Sequence, residues 1–364
     1  HRDLHLSLRR QRQMCIRDRF QDRPWEQLKL SDILRNGVPT DAAEYAEYKR
    51  TNAPAFLFPL GHPPQVPKSL QKGELQRQPS LAQRVDLLRA QRSVYFFHQP
   101  SSEKIDWYRN PFGPGRSDPE AHFSQLLDFH PEQGDLRTLW EPSRAVWSID
   151  CAKAMAAGEY DDIGNLYWGW LDSWMNACPP YQGIHWKCGQ ESSVRLLSLL
   201  IGFWAVANDP ATKAARFEQI GRLAWTTGYR IYHHIQYAIS QKNNHAISEA
   251  VGLMLIGHLF PEFKCSARWE RLGRRVLEQE VLRQAYLDGS YLQHSMNYQR
   301  VMMQGALLGL RLAELAEKPF SSAFYERLGL CADFMLEMLD PTTGQTPQYG
   351  NNDGALVLPF NECA

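Results

Sequence analysis

The chain has 364 residues, and its 40 Lys and Arg balance 40 Asp and Glu at a pI of about 7.3, so no global field recruits nucleic acid. Hydrophobic residues make up 43%, ample for a core, and no apolar run reaches the roughly 18 charge-free residues of a membrane span. Seven scattered cysteines, odd in number and without a C-x-x-C pair, signal neither a zinc ribbon nor a disulfide framework.

Residues 1–19 are Arg-rich and lack an apolar h-region, so they are not a secretory signal. The run Gln13-Met14-Cys15-Ile16-Arg17-Asp18-Arg19 resembles a translated sequencing-adapter tail. The natural start, with any export signal, is then expected to be missing. Residues 20–134 read as an irregular, partly helical arm. Within it, 53–67 is Pro-rich and extended or irregular, 81–92 forms a short amphipathic helix, and 94–97 is a short β-like patch. The aromatic, Pro- and Gly-rich loop 105–115 fits a packed turn and ligand contact equally well.

Regular architecture starts near Asp135. Apolar periodicity predicts helices at 143–157, 163–177, 190–207, 211–239, 245–259, 266–287, 297–316 and 321–340. Segments 194–206, 246–260 and 301–315 are apolar nearly all round, whereas 211–239, 266–287 and 321–340 carry one charged face. A helix apolar on every side is buried on every side. Inner helices therefore alternate with outer ones through short antiparallel connections. The predicted fold is all-α: an incomplete (α/α) toroid of antiparallel helical hairpins over 135–345, with an α-solenoid as the alternative. No repeat of fixed period is visible, which disfavours TPR or HEAT arrays.

Antiparallel hairpins return the chain to the end it started from. The loops 135–144, 179–186, 243–245, 288–298 and 348–353 therefore fall at one end, and they hold the unusual chemistry. The opposite loops, at 208–210, 262–264 and 317–319, are ordinary turns. A polar, aromatic-rich end is the expected rim of an active site. In the stretch 241–249, Asn243 or Asn244 caps the apolar helix that follows. His245 then sits in its first turn, with Glu249 one turn on and able to reach back to the imidazole.

These loops carry a resemblance. The patterns Asp135-x-Arg137-x-x-Trp140-Glu141-x-x-Arg144, Gly183-Ile184-x-Trp186 followed by Glu191 and Arg195, Asn244-His245, Asp288-Gly289 leading to Tyr298, and Gly350-Asn351-x-Asp353 occur in that order over roughly 90–355. Together they resemble the heparinase II/III-type polysaccharide lyases, related to alginate lyases with an α/α toroid. Such enzymes usually continue into a β-sandwich that helps close the cleft and donates a further His. The resemblance implies that 346–364 opens such a domain and that the chain is a fragment. It also implies a periplasmic or extracellular setting.

The implied reaction is β-elimination on a uronic-acid glycan. A base removes the C5 proton beside the carboxylate, and the C4 oxygen leaves with help from an acid. A neutral donor must offset the carboxylate charge first. Asn244 is the candidate neutraliser, His245 the helper or base, and Tyr298 the proton shuttle. Trp140, Glu141, Trp186, Glu191, Arg195, Tyr349, Asn351, Asn352 and Asp353 are the candidate substrate-binding residues. His185 and His294 are second-tier candidates, and His233-His234 reads as structural.

Plainer readings stand beside these. Tyr298 fits a packed aromatic at a helix start. Glu191 and Arg195, four apart, fit a structural salt bridge. The tryptophans fit rim packing as well as a pyranose face. No His/Asp/Glu cluster has metal-ligand spacing, so no metal or other cofactor is expected. The expected partner is an acidic polysaccharide. Two rival functions are a toroid hydrolase drawing a carboxylate pair from Glu141, Glu191, Asp288 and Asp353, and a non-catalytic glycan-binding solenoid.

Overall fold

The computed structural model describes residues 23–65, 79–96, 98–127 and 133–358. The expectations for the 1–19 tail, for 66–67 of the Pro-rich stretch, for Phe97 and for 359–364 lie outside those residues. The arm contains α1 (Leu30–Ile33), α2 (Ala42–Asn52), α3 (Leu81–Arg89) and a small antiparallel ribbon of β1 (Val94–Tyr95) with β2 (Gln99–Pro100). Then come α4 (Leu136–Trp140), α5 (Val146–Ala157), α6 (Ile163–Ala177), α7 (Gly189–Val206), α8 (Ala214–Gln241), α9 (Asn244–Leu259), α10 (Ser266–Gln284), α11 (Met296–Leu315) and α12 (Ser322–Glu337). The chain is all-α in class, built from antiparallel hairpins.

Side-chain pattern decides which helices go inside. Helix α9 is buried along almost its whole length and packs against α7, α8, α10 and α11. Helix α7 is equally enclosed, against α5 and α9. Helix α10 buries only a stripe, with Trp269, Gly273, Val276, Leu277 and Val281 at helical spacing. Gly273 allows the closest approach of α10 to α9: a Cβ there would lie 2.4 Å from the Ala250 carbonyl oxygen. Helix α12 buries a single row, Phe324, Leu328 and Cys331.

Two expectations need correction. Residues Glu141–Arg144 form a separate 3-10 turn, because Ala145 takes a left-handed conformation (φ 58°) and breaks the path into α5. Helix α11 is not buried all round: Leu307 is 50% exposed and Arg311 is exposed, since no further helix covers that side among the described residues.

The arm grips both ends of the helical layer. At the far end, Leu34 bridges Phe263, and the Arg35 amide donates to the Glu262 carbonyl at 2.9 Å. Buried Lys49 pairs with Glu262 at 2.8 Å, and the Tyr45 hydroxyl donates to the same carboxylate at 3.0 Å. At the near end, the Gly183 amide donates to the Ala121 carbonyl at 2.8 Å and the Phe123 amide to that of Tyr181 at 2.9 Å. Residues 346–358 contain no strand; they run back along the start of α11.

Candidate active site

The return loops meet in a closed ring of contacts. Trp140 Nε1 donates to the Ile184 carbonyl at 2.9 Å, joining the first loop to the second. Asn244 Nδ2 donates to Gln190 Oε1 at 2.7 Å, joining the third loop to the first turn of α7, which follows the second. The Asn244 amide donates to Gln293 Oε1 at 3.0 Å, joining the third to the fourth. The Tyr298 hydroxyl donates to Asp353 Oδ2 at 2.8 Å, joining the fourth to the fifth. Arg137 lies 3.8 Å from the same oxygen and closes the ring. Asn244, His245, Tyr298 and Asp353 therefore share one end of the helical layer.

Local capping sets the orientation of each candidate group. The cap of α9 is Asn243, whose Oδ1 accepts from the His245 amide at 3.0 Å. Asn244 is the first helical residue, and its side chain turns into the layer, only 2% exposed. Nδ2 gives one proton to Gln190 and keeps a second. At α11, Ser295 Oγ accepts from the Tyr298 amide at 3.2 Å, which fixes the start of the helix and the base of the phenol. Gly350 has φ 72°, and a Cβ there would lie 2.0 Å from the His294 carbonyl oxygen. Only glycine seats this loop closely enough for Asp353 to meet Tyr298.

The electrostatics divide the groups. Burial, and then the Asp353 carboxylate, push the Tyr298 phenol up to about 12; Arg137 opposes them and is outweighed. Tyr298 is therefore a phenol near neutral pH. Burial pulls the His245 imidazole below its ordinary range despite the charges of Glu191 and Asp353, so it is neutral. Burial pushes Glu249 up to about 8, with Arg230 opposing, and its Oε2 has no hydrogen-bond partner. Glu249 does not turn back to His245 as expected. It packs over Gly189, where a Cβ would come 2.4 Å from its carboxyl carbon, and the ring partner of His245 is Cys188 Sγ at 3.7 Å.

Several candidate contact residues lie beneath the rim. Arg144 is the hub: Nε and Nη2 donate to the two Glu191 oxygens at 2.7 and 2.9 Å, and Nη1 donates to Glu141 Oε2 at 2.8 Å. The Phe96 amide donates to the other Glu141 oxygen at 2.7 Å. The expected Glu191–Arg195 pair is thus replaced by a bidentate pair with Arg144. Arg195 instead donates to the His185 carbonyl at 3.0 Å and lies over the Trp174 and Trp186 rings at 4.6 and 5.4 Å. Trp186 is 0% exposed and offers no face to a sugar. Glu141, Trp186, Glu191 and Arg195 shape the rim from within, and Trp140 is half-buried beside them. His185 is also enclosed, held by the Trp107 carbonyl at 2.6 Å. Burial and then Arg195 pull it down to about 3.

At the surface stand Tyr349, Asn351, Asn352 and His294. Asn352 is occupied in its own turn, donating to Gln348 at 2.8 Å and accepting from the Gly354 amide at 2.9 Å. Asp288 is exposed and caps the turn at Ser290. The loop 105–115 packs as a turn and also borders a hollow of about 240 Å³ lined in part by Tyr95, Lys104, Arg109 and Phe112. Sequence reasoning did not single out Cys188, Gln190 or Gln293. Gln293 lies in a return loop and Cys188 and Gln190 at the start of α7 just after one, but no residue pattern marked any of them as partners of the Asn244-His245 pair.

Helical hairpins in layers, with these polar groups gathered at one end, define the class as a helical α/α protein. The sequence profile of the heparinase II/III N-terminus matches residues 68–356, and the chain belongs to that family. A heparin-sulfate lyase of Pedobacter heparinus is 34% identical over 109 residues, covering 30% of this chain and 16% of the relative. One from Bacteroides thetaiotaomicron is 28% identical over 109 residues, covering 29% and 16%. Among solved structures, a heparinase III superposes with a TM-score of 0.57 at 18% identity, covering 83% of this chain and 43% of that one. A heparan sulfate lyase from Pedobacter heparinus gives 0.54 at 19% identity, covering 84% and 44%. These likenesses show a shared fold, and the chain spans less than half the length of those solved relatives.

Proposed function

We propose that the chain is the helical portion of a polysaccharide lyase that cleaves a uronic-acid-containing glycan by β-elimination. The names of its relatives point to heparin or heparan sulfate as the substrate class. One observation carries the reading. Neutral donors, Asn244 and His245, share a rim with a phenol that burial, and then Asp353, keep protonated. Asn244 and His245 would offset the uronate carboxylate, lowering the cost of carbanion formation at C5. Tyr298 would carry the proton: as a phenolate it takes the proton from C5, and as the phenol so formed it gives that proton to the departing C4 oxygen. The resting phenol must first give its own proton to solvent; burial and Asp353 oppose the phenolate so formed, and Arg137 favours it.

The carboxylates favour elimination over hydrolysis. Glu141 and Glu191 are both spent on Arg144, and Asp288 is exposed on its own turn. No free facing pair remains among these to flank a glycosidic bond. The full-length protein incubated with heparan sulfate and a panel of other uronate polymers should release products with a conjugated double bond, followed by ultraviolet absorbance. A glycan bound without turnover would favour the non-catalytic module instead.

Two further outcomes are expected. Asn244→Ala should lower turnover by about 10²–10³, the usual loss for one preorganised donor. The cap at Asn243 remains, so thermal denaturation should show a folded protein; wild-type turnover in that folded variant would remove Asn244 from the mechanism. Asp353→Asn should change the pH profile. The Asp353 charge raises the Tyr298 pKa, so removing it lets the phenolate form at lower pH. The base-dependent limb of kcat should move to lower pH, and an unmoved limb would show that Tyr298 is not the titrating base.

A further inference from the structure

We infer that Cys188 is a positioning residue for His245: its thiol donates to Nδ1 and holds the ring as the Nε2–H tautomer, making His245 a hydrogen-bond donor and not a base. The part His245 then plays rests on the lyase reading above; the tautomer does not.

Cys188 is the residue before α7 and His245 the second residue of α9, and the two helix mouths face each other across the rim. Sγ lies 3.7 Å from Nδ1, within reach of a sulfur hydrogen bond. Only one proton fits between these atoms, so the pair is either S–H···N or N–H···S. Imidazole nitrogen is a good acceptor and thiol sulfur a weak one, which favours the first. The surroundings agree. The Gln190 and Glu191 backbone amides, in the first turn of α7, favour the thiolate only weakly against burial. Burial, then Glu191 and Glu249, push the thiol up to about 12, so it keeps its proton. The imidazole is pulled down by burial against the charges of Glu191 and Asp353, so it carries a single proton. With Nδ1 accepting, that proton is on Nε2, which has no hydrogen-bond partner among the described residues.

The consequence is chemical. An imidazole with its Nε2–H unpaired can donate to a substrate carboxylate. It cannot accept a proton at Nε2, and Nδ1 is occupied. Of the two roles open to His245 from sequence, helper or base, this leaves the helper, and C5 proton removal falls to Tyr298.

The test is nitrogen NMR on protein labelled with ring-¹⁵N histidine, with the His245 signals assigned by their loss in His245→Gln. Near neutral pH the native protein should show an unprotonated Nδ1 and a protonated Nε2. Cys188→Ala should shift the Nδ1 signal and admit the second tautomer. Cys188→Ser, which keeps a donor, should restore a single Nε2–H form. Turnover should fall about tenfold in Cys188→Ala, the low end for losing the partner that orients a working histidine, and less in Cys188→Ser. A protonated Nδ1 in the native protein overturns the inference whatever the variants do. Signals unchanged in a folded Cys188→Ala overturn it as well. The correct tautomer in a protein that cleaves no glycan would leave the Cys188–His245 assignment standing and remove the lyase reading alone.

Discussion

The Tyr298→Phe protein is expected to fold as the parent does and to lose about 10²–10⁴ in turnover, the scale of general acid–base catalysis, with substrate binding little changed. The ring stays, so packing at the start of α11 is retained, and the Ser295 cap acts through the backbone amide of residue 298. What is lost is the hydroxyl that donates to Asp353 Oδ2 at 2.8 Å. Asp353 keeps the Asn297 side chain at 3.1 Å and Arg137 nearby, so its carboxylate is not stranded. The assay is formation of the conjugated double bond in the product, with binding measured separately. A folded Tyr298→Phe protein cleaving at the parental rate would return Tyr298 to the role of a packed aromatic.

Arg144→Met should be the most damaging single change to stability. Methionine fills much of the volume but leaves Glu141 and Glu191 facing each other in a buried site. Breaking a buried ion pair by removing one partner costs about 3–5 kcal/mol, a large share of the roughly 5–15 kcal/mol that separates folded from unfolded chains. The sign of the pH dependence is also fixed. In the parent, burial already raises the Glu141 carboxyl, with Arg144 pulling it back down. Without Arg144 the folded-state pKa rises further above its unfolded value. The folded state then binds the extra proton, so stability is lost as pH rises through that interval and recovered as pH falls. Denaturant titrations at several pH values should show a deficit that shrinks toward acid. A deficit below about 1 kcal/mol, the scale of an exposed pair, would mean the carboxylates find water when Arg144 is gone.

Much of the helical architecture was legible because burial leaves a period in the sequence. The runs that became α7 and α9 are apolar on all sides and lie enclosed, while α8 and α10 carry one charged face and bury the other. The rim was legible for a topological reason: antiparallel helices bring alternate loops to one end whatever those loops contain. Partner choice within the rim was less legible. Spacing of four suggested that Glu191 meets Arg195, yet Arg144, 47 positions away, takes both its oxygens. Arg144 turns Nε and Nη2 to Glu191 while Nη1 serves Glu141, whereas Arg195 is drawn to the His185 carbonyl and over two tryptophan rings. Trp186 read as a sugar platform because sequence records the ring and not its depth. The Cys188–His245 contact was invisible for a similar reason. It joins two helix mouths 57 residues apart, and neither residue changes the periodicity around it.

The central claim is the kind of bond cleavage, and mass spectrometry of the products of the full-length protein acting on a uronate polysaccharide tests it most directly. Elimination adds no water: one product should end in an unsaturated uronate, and the fragment masses should sum to the parent mass. Products heavier by one water, with a saturated end and no ultraviolet absorbance, would contradict the lyase account and make the enzyme a hydrolase.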